Sequence, residues 1–162
     1  MRNVVVFWLL LLWCAACTTV TRQPPPAAPP QAVQPPVGET QDEELRRIVR
    51  EAEPIINNIL DAINKTDHAA YIRDFNDAMR SAYHDKRQFK KINKWRKSRI
   101  GEYTAKNVWK IQKQNQYYII YYWTKFTKAQ NPVTIRMVLE RNQESKVLQV
   151  AMLSYDAPEL KE

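Results

Sequence analysis

Residues 101–111 read GEYTAKNVWKI, and within them the spacing of apolar residues changes from a helical period to a period of two. That alternation is typical of a strand with one buried face. Asn107 stands on the apolar side of the alternation and Val108 on the polar side, so we expect a β-bulge at this point. The residues expected to point inward are Tyr103, Ala105, Trp109 and Ile111.

The segment before this strand has the apolar spacing of helices. From Leu45 to Ile63 apolar residues recur every three or four positions, which predicts one helix face. Pro54 interrupts the segment, so either the helix kinks there or a new helix starts with Pro54 in its first turn.

Two further helices are expected before Gly101. Thr66 or Asp67 would cap the first of them, and the other covers about 86–99. The residues predicted to be buried are Tyr71, Phe75, Ala78, Met79, Ala82 and Tyr83 in the first, and Phe89, Ile92 and Trp95 in the other.

Three more strands follow the alternating segment, over about 117–128, 133–140 and 147–153. The turns between them are too short for parallel crossovers, so the sheet should be an antiparallel meander. Helices followed by strands predict an α+β domain at 41–162, with the N-terminal helices packed on one face of a four-stranded antiparallel sheet.

The N-terminus has the pattern of an export signal. One arginine precedes an apolar run from Val4 to Trp13, which is too short to span a bilayer. Ala15, Ala16 and Cys17 resemble the lipobox of bacterial lipoproteins, although Cys14 stands where leucine is usual. The resemblance implies a signal peptide at 1–16 and a diacylated Cys17. An ordinary cleaved signal and a retained anchor are the alternatives.

Residues 17–40 form a proline-rich linker, because seven of the ten prolines lie between Pro24 and Pro36. Proline density favours an extended chain of about 3.1 Å per residue. This linker could hold the domain away from a membrane, or merely clear the lipid headgroups.

Composition excludes several chemistries. Both cysteines lie within the first 17 residues and the domain has one glycine, so the domain lacks a disulfide framework, a cysteine zinc site and a glycine-rich phosphate loop. His68 and His84 each neighbour an aspartate, but adjacent helical residues diverge by about 100° and form no natural dyad. We expect no catalytic residue, no metal and no cofactor.

Positive charge is concentrated between Lys86 and Lys113, where eleven basic residues face one acid, within a chain of net charge +8. This segment predicts contact with an anionic surface or an acidic protein; a solvated helix face is the alternative, and nucleic acid is disfavoured. The candidate patch comprises Lys86, Arg87, Lys90, Lys91, Lys94, Arg96, Lys97 and Arg99.

The second strand, YYIIYYW at 117–123, is apolar on both faces. One face should pack on the helices, and the other would be exposed and mark a contact with a protein partner or a second copy. Alternatively, sheet curvature or another segment of the chain covers it. The candidate interface comprises Tyr118, Ile120, Tyr122, Val138, Leu148, Val150 and Met152.

This order of elements over 42–155 resembles the nuclear transport factor two-like superfamily, and small bacterial lipoproteins share the layout of signal, spacer and domain. The resemblance implies a sheet that curves around the helices as a cone with a pocket at its wide end. Members include enzymes as well as binding and dimerisation modules. The superfamily has no universal catalytic motif, so the resemblance implies no catalytic residue.

These patterns predict a non-enzymatic protein of the cell envelope, held through Cys17 in the outer membrane and facing the periplasm. It would contact an envelope protein or an anionic envelope polymer. The alternative is a small-molecule pocket domain, either a binding module or an enzyme, which a deep pocket lined by Asp, Tyr or His would favour.

Overall fold

The computed structural model describes residues 40–161. The predicted signal peptide and the lipid attachment at Cys17 lie outside the described residues, as does the linker up to residue 39. Over 40–161 the elements are four helices and four strands, with a 3₁₀ turn at Pro158–Leu160. The bounds are α1 Gln41–Lys65, α2 His68–Ile72, α3 Asp77–Ala82, α4 Lys86–Ile100, β1 Tyr103–Gln114, β2 Tyr117–Phe126, β3 Val133–Arg141 and β4 Leu148–Asp156.

The predicted α+β class is confirmed, because helices precede an antiparallel sheet whose strands lie in the order β1-β2-β3-β4. Within residues 40–161 no helix has the length and apolar character needed to cross a membrane.

Helix α1 is one continuous helix through Pro54, so the alternative of a new helix starting there is wrong. Its start is fixed by a capping box, in which the Thr40 hydroxyl accepts from the Glu43 N–H at 3.3 Å and the Glu43 carboxylate accepts from the Thr40 N–H at 3.0 Å. Acidic residues occupy its first turn, where the helix dipole favours negative charge.

The predicted second helix is wrong in one respect, because it is divided into α2 and α3. Between them, Phe75 is fully buried and the chain lies along the edge of β4. The Val150 N–H donates to the Asp74 carbonyl at 2.8 Å, and the Asn76 N–H donates to the Val150 carbonyl at 3.0 Å. Because these groups bond to the sheet, they cannot continue a helix. Ala78 and Ala82, which we expected to be buried, are exposed.

Asparagine side chains join α1 to the elements around it. The Asn64 amide bonds both the N–H and the carbonyl of Tyr103, each at 2.9 Å, and so fixes the start of β1. Asn93 is fully buried in α4, and its amide donates to the Ile63 carbonyl at 2.8 Å near the end of α1. These bonds satisfy buried polar groups and set the register of α4 on α1.

Ion pairs also join α1 to β1. The Lys113 ammonium lies 2.8 Å from the Glu44 carboxylate, and Lys106 pairs with Glu53. The Tyr118 hydroxyl donates to the same Glu44 carboxylate at 2.6 Å.

The inner face of the sheet packs on the apolar face of α1 and forms the core. Across the sheet, Ile120 pairs with Met137 and Met137 with Leu153. Side chains of α1 such as Ile56 and Ile59 are fully buried against this layer. Five residues of the predicted interface lie in this core, so the prediction that they are exposed on the outer face is wrong. They are Tyr118, Ile120, Tyr122, Leu148 and Val150.

Gly101 connects α4 to β1 with φ of +80° and ψ of −151°, a backbone conformation that residues other than glycine rarely adopt. Its neighbours bond to the loop after β2, where the Lys128 N–H donates to the Ile100 carbonyl at 2.9 Å. A Cβ at Gly101 would lie 2.1 Å from the Thr127 Oγ1 and 2.9 Å from the Lys128 nitrogen.

We expect Gly101→Ala to lower the free energy of unfolding by at least ~2 kcal/mol, because backbone strain and a clash with main chain add together. The matched control is Asn115→Gly at the β1–β2 turn, where φ is 54° and glycine relieves strain. Denaturant titration of both variants measures the difference. Equal stability of Gly101→Ala and the wild type would contradict this account of the junction.

Candidate functional site

The outer face of the sheet carries an apolar row that the helices do not cover. Ile119 pairs with Val138, and Val138 with Met152. Ile119 and Val138 are buried outside the helix–sheet core, whereas Met152 is 48% exposed. Of the predicted interface residues, Val138 and Met152 are those that the structure places on this face.

A pair of tryptophans dominates the outer face. Trp109 and Trp123 are 52% and 50% exposed, and their rings stack at 5.3 Å with an interplanar angle of 15°. Trp109 also meets the edge of Tyr121 at 5.9 Å. We expected Trp109 to point inward, and that prediction is wrong. The register shifts between Val108 and Lys110, so the bulge predicted near this point inserts Trp109 and directs it outward.

Basic side chains border these aromatic rings. The Lys110 ammonium lies 5.9 Å from the centre of the Tyr121 ring, and the Arg136 guanidinium contacts the Met152 sulfur at 2.9 Å. Lys125 is exposed two positions after Trp123. None of these cations has an ion-pair partner within residues 40–161. The outer aromatic patch is defined here as Trp109, Tyr121, Trp123 and Met152 with the bordering Lys110, Lys125 and Arg136.

The predicted basic segment is only in part a surface. Lys97 is half-buried, and its ammonium donates to the Asn64 carbonyl at 2.5 Å and to Glu102 at 3.1 Å. Arg96 is 8% exposed, so its assignment to an anionic-surface patch is wrong. The remaining members are exposed: Lys86, Arg87, Lys90, Lys91, Lys94 and Arg99.

The phase of α4 explains the position of Arg96. The predicted inward residues were Phe89, Ile92 and Trp95, but Ile92 is 39% exposed and Trp95 is half-buried. The buried residues are instead Phe89, Asn93, Arg96 and Ile100, spaced four, three and four apart.

Arg96 lines a cavity of about 300 Å³ between α2, α4 and the segment that joins α3 to α4. Its guanidinium carbon lies 4.3 Å from the centre of the Tyr155 ring, and one nitrogen contacts the Asn93 side-chain oxygen at 3.4 Å. The other lining residues are Tyr71, Ala82, Tyr83, Asp85, Gln88, Phe89 and Ile92.

Burial raises the pKa of Tyr71 and of Tyr155 above the usual range, so both hydroxyls stay protonated at neutral pH. The Tyr155 hydroxyl is shielded from solvent and interacts with the side chain of Tyr71. A buried guanidinium and protonated phenols can bind, but they supply no general base near neutral pH.

The histidines bond to main chain. The His68 Nε2 donates to the Tyr83 carbonyl at 2.7 Å and the His84 Nδ1 to the Ser81 carbonyl at 2.5 Å. Asp67 caps α2, as expected, by accepting from the Ala69 and Ala70 N–H groups. Among residues 40–161 there is no group of three or more His, Cys, Asp or Glu side chains that could hold a metal ion.

Sequence reasoning missed Trp123, Arg136 and Tyr155. For Trp123 a signal was present. The charged Lys125 has the same parity as Trp123 along the strand and the apolar Phe126 has the opposite parity, which favours the odd-numbered positions of β2 as the outer ones. For Tyr155 no such signal exists, since its role depends on the phase of α4.

Replacing Lys90, Lys91 and Lys94 with Gln should weaken binding to phosphatidylglycerol vesicles roughly 100-fold at low salt, because each basic residue near an anionic membrane contributes about 1 kcal/mol. Co-sedimentation of protein carrying Cys17→Ser measures this without a lipid anchor. The matched control removes three exposed charges elsewhere, at Lys128, Lys146 and Lys161. Equal weakening by both sets would show that only net charge matters and would contradict a role for α4.

Comparison with known proteins gives a likeness in fold. No protein-family model and no curated protein matches the sequence. A designed NTF2 chain is 13% identical, with a TM-score of 0.46, and the match covers 67% of this chain and 99% of that one. An NTF-2 like protein of unknown function from Burkholderia xenovorans LB400 is also 13% identical, with a TM-score of 0.37, and covers 68% and 86%. These structural neighbours are NTF2-like folds, and the likeness concerns the arrangement of elements alone.

Proposed function

We propose that this chain is a non-enzymatic binding module of the bacterial cell envelope, anchored in the outer membrane by lipid on Cys17. Its domain faces the periplasm and contacts a partner protein through the outer aromatic patch. The anchor rests on the sequence resemblance to a lipobox, and the contact rests on the geometry of the sheet.

The observation that carries the contact is the exposed pair Trp109 and Trp123. Tryptophan, tyrosine and arginine are the residues that most often dominate binding energy at protein interfaces. Here two indoles, a phenol and a guanidinium lie together on one rigid sheet face.

Charge favours a partner with acidic groups around an apolar centre. Lys110, Lys125 and Arg136 have no ion pair with any described residue, so an incoming carboxylate can pair with each. A second copy of this chain, meeting through the same face around a two-fold axis, would bring these cations towards one another. An anionic polymer would satisfy the charges but would leave the apolar centre without a matching surface.

The rival function, a small-molecule pocket inside the cone, has less support. Between α1 and the sheet, Ile56, Ile120, Tyr122 and Met137 are all fully buried. Side chains therefore fill the space between α1 and the sheet at these positions.

We expect the double variant Trp109→Ala with Trp123→Ala to lower partner recovery at least tenfold, because interface tryptophans commonly contribute about 2 kcal/mol or more. The measurement is quantitative capture of the full chain from detergent-solubilised membranes, with crosslinking before lysis. Val147→Ala is the matched control, since Val147 is 58% exposed and lies outside the patch.

Two outcomes would overturn the proposed contact. One is a double variant that recovers the same partners as the wild type. The other is a self-association, seen by sedimentation, that the tryptophan substitutions abolish, which would identify a second copy as the occupant.

We expect Cys17→Ser to release the protein from membranes, because serine provides no thiol for lipid attachment. Fractionation in detergent-free buffer and mass analysis of the wild-type N-terminal peptide measure this. The anchor would be refuted if the wild type carried no lipid and the serine variant still sedimented with membranes. That result would not bear on the proposed contact through the outer aromatic patch.

A further inference from the structure

Arg96 is a buried cation whose hydrogen-bonding capacity is largely unused. Arg96 is 8% exposed, and its contacts are a long hydrogen bond to Asn93, the face of the Tyr155 ring and the side chain of Tyr71. A guanidinium carries five N–H donors. No carboxylate forms an ion pair with it anywhere in residues 40–161.

A charge in this position is costly unless a counter-charge accompanies it. Asp85 lines the same cavity, but its Oδ1 accepts from the Arg87 N–H at 2.7 Å and the Gln88 N–H at 3.2 Å as the cap of α4. The acidic side chain on the cavity wall thus has one carboxylate oxygen bonded to main chain, and it forms no ion pair with Arg96.

We propose that the cavity beside Arg96 binds a small organic monocarboxylate with an aromatic or compact apolar body. The carboxylate pairs with the Arg96 guanidinium, and the body lies against the cavity wall formed by Phe89, Ile92 and Tyr71. The guanidinium fork matches the two oxygens of a carboxylate.

The walls select the body of the ligand. Phe89 and Tyr71 are buried with ring centres 4.8 Å apart, and Ile92 contributes an exposed apolar side chain at the rim. A volume of about 300 Å³ is at the lower end of ligand pockets, so the ligand is small.

The charges select its head group. Arg96 is a single cation, and the carboxylate of Asp85 lies on the same wall. A phosphate dianion would keep one charge that Arg96 does not compensate, and Asp85 would repel it about twice as strongly as a monoanion. A monocarboxylate needs only the one cation.

This inference is independent of the proposed contact. The outer aromatic patch lies on the sheet face that the helices leave uncovered, whereas the cavity is formed by α2, α4 and the segment before α4.

The test uses the full chain in a non-ionic detergent, with phenylacetate as the probe and phenylacetamide as its neutral counterpart. Calorimetric titration should detect phenylacetate binding, and saturating phenylacetate should raise the unfolding temperature by several degrees. Phenylacetamide should bind at least tenfold more weakly because it offers no negative charge to Arg96.

The decisive variant is Arg96→Met, which keeps the length of the side chain and removes the charge. We expect it to lose phenylacetate binding at least tenfold while its ligand-free unfolding temperature stays equal to or above that of the wild type, because a buried unpaired charge is gone. Lys94→Gln on the exposed side of α4 is the control and should bind as the wild type does.

Three results would overturn the proposal. One is the absence of binding of phenylacetate or benzoate to the wild type with a Kd of about 10 mM or lower, which corresponds to a binding free energy of about −3 kcal/mol. The others are equal binding of phenylacetate and its amide, and equal binding of phenylacetate by Arg96→Met and the wild type. If Arg96→Met does not fold, the comparison of acid and amide on the wild type decides alone.

Discussion

One layer of helices covers one face of a sheet whose second strand is apolar on both faces, and most features of the domain depend on that constraint. Helix α1 buries the face that contains Ile120 and Tyr122. The opposite face has no second layer within residues 40–161, so its apolar side chains must cover one another. Ile119 and Val138 are buried in this way, and the stacked tryptophans each hide about half of their surface.

The periods in the sequence were sufficient to predict the class, the order of elements and the antiparallel pairing. Within YYIIYYW they did not decide which face of β2 lies inward, because both faces carry tyrosine and isoleucine, and only Lys125 and Phe126 at the end of the strand favour the odd-numbered positions as outer. A shift of one residue exchanges the two faces, so a single ambiguous strand misplaces a whole interface. The bulge at Trp109 exchanges the two faces a second time, within β1. The break between α2 and α3 depends on the pairing of Phe75 with Val150, which lies 75 positions later in the chain.

The candidate site on α4 shows a different limit. The density of basic residues led to the prediction that Arg96 is exposed to solvent, since arginine is seldom buried without a partner. The phase of the helix is decided by Asn93, whose amide reaches the Ile63 carbonyl and the Thr66 hydroxyl on α1. Satisfying that amide turns Arg96 towards Tyr155 and turns Ile92 towards solvent. The exposed lysines were identified correctly because no such bond constrains them.

The two edges of the sheet differ in their capacity to accept another strand. Residues 74–76 bond to Val150 and occupy part of the free edge of β4. Among residues 40–161 no main-chain segment pairs with the edge at β1, although the Asn64 side chain bonds Tyr103 at its start. The pairing of β1 is irregular at Thr104 and Trp109, and Lys106 and Lys113 form ion pairs with acids of α1. Irregular, lysine-bearing edges resist strand addition and the fibrillar aggregation that follows from it. Copies of this domain are therefore not expected to join edge to edge through β1.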